Sequence, residues 1–88
     1  MSYEYEKEKP GIFTENGQVM FLRIRDKVQS LLKQAGAFSM FSAMSDCTGE
    51  SWQMMACVDR LVELGEIKEV PRGNDCPGQY RIFVRTDE

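Results

Sequence analysis

The sequence predicts a small α+β domain in which three helices precede a C-terminal two-stranded β-hairpin, and three observations carry that expectation. Phe21, Ile24, Val28, Leu31, Leu32 and Ala35 recur at three- and four-residue intervals and stop at Gly36, the pattern of an amphipathic helix with a glycine end. Met54, Cys57, Val58 and Leu61 form a second such stripe, closed by Gly65. From Gln79 to Arg85 the spacing changes to period two, with Tyr80, Ile82 and Val84 on one face and Arg81, Phe83 and Arg85 on the other. A chain of 88 residues has room for one hydrophobic core.

Taken in order, residues 1–15 are charged, lack apolar periodicity and contain the turn signal Pro10-Gly11, so they read as a mobile N-terminal tail. Asn16 stands at an N-cap position, and the first helix runs from Gln18 to Ala35 with Arg23, Lys27 and Gln34 on its wet side. Residues 37–40 suit a short extended link, and 41–46 a short second helix with Phe41, Ala43 and Met44 facing inward. Thr48 can cap the third helix, Glu50 to Leu64, while Glu50 suits the positive end of its dipole. Ile67 to Val70 reads as a strand, residues 71–78 as a turn cluster and 79–85 as the partner strand. The domain thus spans 16–85, and 86–88 is an acidic tail.

Composition narrows the function classes. Eleven Lys and Arg stand against 14 Asp and Glu, a net charge of −3, where a dedicated nucleic-acid binder is usually basic because phosphate neutralisation supplies most of its non-specific affinity. No stretch approaches the roughly 18 apolar residues of a membrane span and the start lacks a signal-peptide layout, so a cytoplasmic location without membrane contact is the expectation. Cys47, Cys57 and Cys76 have neither disulfide-framework nor zinc-ligand spacing, and the chain has no histidine. With no His for acid–base work and no nucleotide-binding glycine motif, neither catalysis nor a cofactor is expected.

The order of long helix, extended link, short helix, tight turn, third helix and hairpin over residues 18–85 resembles the winged helix-turn-helix superfamily, bacterial regulators in particular. The stretch Met54-Met-Ala-Cys57-Val58-Asp-Arg-Leu61-Val-Glu-Leu64-Gly65-Glu-Ile67 is similar to that family's third helix, its terminating glycine and the entry to the wing. The sequence departs from the family where Ala43 is followed four residues on by Cys47 rather than glycine.

The resemblance implies duplex DNA as a partner, with the third helix in the major groove and the wing beside it. Gln53 can then pair with adenine, and Arg60 can reach guanine or phosphate. Thr48 and Ser51 can donate to phosphate, and Arg72, Asn74 and Arg81 lie where the wing would touch the backbone. Glu50, Asp59, Glu63 and Asp75 oppose that role by repelling phosphate. Trp52, Met55 and Val62, off the inward stripe of the same helix, offer a rival use: an apolar face for a partner protein or a second copy of the chain. The bland alternative is that Ile12 and Phe13 fold back over that helix and extend the core.

Overall fold

A computed structural model of the chain describes residues 3–45, 49–70 and 81–86. Among the described residues it is an α+β unit of four helices and one antiparallel sheet: α1 (Tyr5–Ile12), α2 (Glu15–Ala35), β1 (Ala37–Ser39), α3 (Met40–Met44), α4 (Ser51–Glu63), β2 (Ile67–Glu69) and β3 (Ile82–Arg85). The sheet order is β1-β3-β2, so the last strand is central.

The long helix starts slightly earlier than its sequence signals suggest. Thr14, rather than Asn16, is the N-cap, its Oγ1 accepting from Gly17 N at 3.0 Å. Ile24, Val28 and Leu32 are buried, and Gly36 ends the helix with φ +77° while its N–H donates to Leu32 O. The link after it is a strand: Phe38 pairs with Phe83 across β1 and β3, and their rings stack with centroids 5.3 Å apart. β2 pairs with β3 on the other side, setting Glu69 opposite Phe83 and Ile67 opposite Arg85. Phe83 is fully buried, while Ile82 and Val84 are half-buried and Arg85 is exposed. In α3, capped by Ser39, Met40 and Ala43 are buried, whereas Phe41, expected inside, is exposed.

The N-terminal segment differs most from expectation. Residues 5–12, read as part of a charged tail, form α1, which packs on α2 and α4 and buries Ile12 completely. Ile12 is the one buried side chain of this helix, so no apolar repeat announces it. Glu6 and Glu8 near its start and Lys9 near its end suit the helix dipole, and the rest of its support is tertiary. Its crossing with α2 depends on Gly17: a Cβ there would run into the Gly11 carbonyl oxygen and stand 2.8 Å from the Ile12 backbone.

Candidate interaction surface

The geometry of α4 decides what the molecule can present. Its N-cap is Glu50, whose carboxylate accepts from Trp52 N at 3.2 Å and Gln53 N at 3.1 Å. A carboxylate satisfies those orphan N–H groups and complements the helix dipole, but it also places a negative charge where a major-groove helix would meet DNA. Met54, Cys57, Val58 and Leu61 face the core as their spacing predicts.

The opposite face, carrying Gln53, Ala56, Arg60 and Glu63, is covered by α1. Ala56 is wholly buried there. Gln53 lies against Gly11, so closely that a Cβ on Gly11 would stand 2.6 Å from the Gln53 side-chain oxygen, and its Nε2 is buried with no hydrogen bond among the described residues. The guanidinium of Arg60 sits 5.3 Å from the centroid of the Phe13 ring and donates to Glu63 at 2.7 Å. Glu63 also accepts from Tyr5 at 2.7 Å and Lys9 at 2.8 Å. The hydrogen bonds from Lys9, Tyr5 and Arg60, in that order of weight, hold its pKa down at about 2. The Tyr5 hydroxyl is shifted upward, by burial first and then by its bond to Glu63.

A second polar cluster joins Tyr3, just before α1, and α4 to the sheet. Tyr3 donates to Asp59 Oδ2 at 2.5 Å, and Arg81 reaches Asp59 Oδ1 at 2.7 Å and Glu69 Oε1 at 2.9 Å. Burial alone would lower the Arg81 pKa, but its bonds to Glu69 and Asp59 more than offset that, and the net shift is upward. Burial, then the bond to Asp59, raises the Tyr3 hydroxyl.

Of the residues singled out for DNA contact, the four that the structure describes are not gathered on one open face. Ser51 is exposed, Gln53 is packed under α1, and Arg60 and Arg81 are each engaged by carboxylates. Thr48, Arg72 and Asn74 lie outside the described residues, as do Cys47 and Cys76, while Cys57 is a buried core side chain. Among the described residues, Arg23, Lys33, Lys68 and Arg85 make no ion pair, and they belong to α2 and the strands rather than to α4. The alternative apolar face is partly consumed: Met55 and Val62 are half-buried against the core, and Trp52 is half-buried too.

Open apolar surface appears instead beside α1, at a place the sequence reading did not single out. Phe13, Val19 and Leu22 are 56%, 53% and 55% exposed. Phe13 and Val19 line one shallow hollow together with Glu15, Asn16 and Gln18, and Leu22 follows Val19 by one helical turn. Phe41 and Leu64 are also exposed, each alone on its element, which is ordinary for a protein surface. Among the described residues, no helix is long and apolar enough to cross a membrane.

Comparison of the chain with models of known protein families, with curated proteins and with solved structures finds no match.

Proposed function

We propose that this chain is a winged-helix-type module whose working contacts are with another protein. The single observation that carries the reading is the cover of α1 over α4: the face that a recognition helix would offer to a groove is occupied by residues 3–13 of the same chain, and its arginine is already paired. The net charge of −3 and the Glu50 cap favour the same conclusion. The winged-helix part of the reading is supported by the order α2-β1-α3-α4-β2-β3 and by β1 and β2 flanking β3.

That same element order favours a second reading, a regulator that binds duplex DNA through α4 and the connection between β2 and β3. The two readings separate in an amide NMR titration of labelled protein with a mixed-sequence duplex at low and then physiological salt. The protein-contact reading expects no saturable shifts on α4 at either salt. Salt-sensitive shifts over residues 48–60 and 72–81, weakened by Arg60→Ala, would overturn it in favour of DNA.

A further inference from the structure

The patch of Phe13, Val19 and Leu22 is specific enough to say what it fits, and this step rests on the protein-contact reading above. We infer that it receives an amphipathic helix of a different protein, apolar along one stripe and carrying a basic residue at each end. Three half-exposed side chains amount to roughly 300 Å² of apolar surface, the lower end of the largest apolar patch that a monomer ordinarily shows.

The charges around the patch set the partner: Arg60, over the Phe13 ring, is already held by Glu63, which leaves the unpaired charges of α2 to meet it. On the same side of α2, Glu15 lies one turn before Val19 and Asp26 one turn after Leu22; both are exposed and neither has an ion-pair partner among the described residues. At 1.5 Å per residue they stand about 16 Å apart along the helix, so a partner helix meets both with basic side chains separated by about three turns. Arg23, exposed between them, can take one acidic residue in the middle of the partner.

A second copy of this chain is the poorer occupant because of its charges. Two copies of α2 packed antiparallel over Val19 and Leu22 bring Glu15 opposite Asp26 at both ends, and a parallel arrangement brings each acid opposite itself, like-charge pairs that a partner with basic ends avoids.

The test uses the full chain, isotopically labelled, and two synthetic helical peptides that differ only at their ends. Both carry leucines on one stripe; one has lysine at each end, about 11 residues apart, and its twin has glutamate there. Saturable shifts over residues 13–26, roughly tenfold tighter for the lysine peptide at low salt and converging as salt rises, are the expected result. Val19→Ser with Leu22→Ser should abolish them at an unchanged urea midpoint. Should that variant be unstable, Glu15→Lys with Asp26→Lys, both surface changes, should invert the preference toward the glutamate peptide.

Equal affinity for the two peptides would overturn the charge assignment, and shifts confined to another surface would overturn the site while leaving the protein-contact reading intact. Silence with both peptides alongside salt-sensitive DNA shifts on α4 would sink both readings together. A concentration-dependent dimer in light scattering, lost in the Val19→Ser, Leu22→Ser variant, would replace the partner helix with a second copy.

Discussion

Replacing Gly17 by alanine sets two physical effects of opposite sign against each other. Helix propensity alone favours the change, since alanine in a helix is worth up to about 1 kcal/mol over glycine. Packing opposes it, because the new methyl group would overlap the Gly11 carbonyl oxygen and press on the Ile12 backbone. Backbone atoms cannot rotate away as a side-chain tip can, so α1 must shift. That shift exposes part of Ile12, whose full burial is worth about 1.5–3 kcal/mol. It also strains the Thr14 cap, about 1 kcal/mol, and loosens the surface bonds from Tyr5 and Lys9 to Glu63.

The balance is a loss of about 1–2 kcal/mol after the propensity gain is credited. Urea unfolding followed by circular dichroism measures it, and hydrogen exchange at residues 5–12 should show α1 losing protection before the rest. Gly36→Ala is the control: it has open space around the new methyl but a left-handed backbone, so it should cost about 1 kcal/mol without touching α1. A Gly17→Ala protein more stable than the parent, with α1 protection unchanged, would refute the packing argument.

Two other outcomes follow from the polar contacts around α4. Arg81→Met leaves Asp59 with the Tyr3 hydroxyl alone and Glu69 without its cation; the loss should be about 2–3 kcal/mol in urea unfolding, below the range for a fully buried pair because the cluster is partly wet. A change under about 0.5 kcal/mol would show that the cluster is only decorative. Because the Glu63 pKa is depressed from 4.5 to about 2 in the folded chain, its contribution is complete above 4.5 and disappears as pH falls toward about 2. Amide shifts of α1 should report that acid transition, and Glu63→Gln should remove it.

Most of the core was legible because it rests on periodicity. The stripes ending at Gly36 and Gly65 place Ile24, Val28, Leu32, Met54, Cys57, Val58 and Leu61 inside, as spacing alone indicates. β1 was visible only as an extended link, because three residues are too few to show a period, and its place in the sheet comes from pairing with a strand more than 40 residues later. α1 was hidden for a different reason. Its single buried apolar side chain gives no repeat, and its attachment runs through Tyr3, Tyr5 and Lys9 to acids near the other end of α4, pairings that no local pattern encodes.

The same limit explains the candidate residues. Arg60 and Arg81 looked available for phosphate because sequence shows charge without showing which carboxylate is near. The exposed patch, by contrast, did leave a trace. Val19 and Leu22 fall off the inward stripe of α2, the reasoning that drew attention to Trp52 on α4, and placing them on a helical wheel puts them beside Glu15 and Asp26.

The central position of β3 bears on the order in which the chain can acquire its structure during synthesis. β1 and β2 hydrogen-bond to β3 and not to each other, and β3 is the last of the three to leave the ribosome. Until then the emerging chain can fold its helices but carries two strand segments with no neighbour, and Phe38 waits for the ring on which it stacks. The sheet therefore closes in one late step. A stop introduced just before residue 82 would remove not an edge but the common partner of both remaining strands, and a nascent or truncated chain of that length would show two unpaired strand edges to its surroundings.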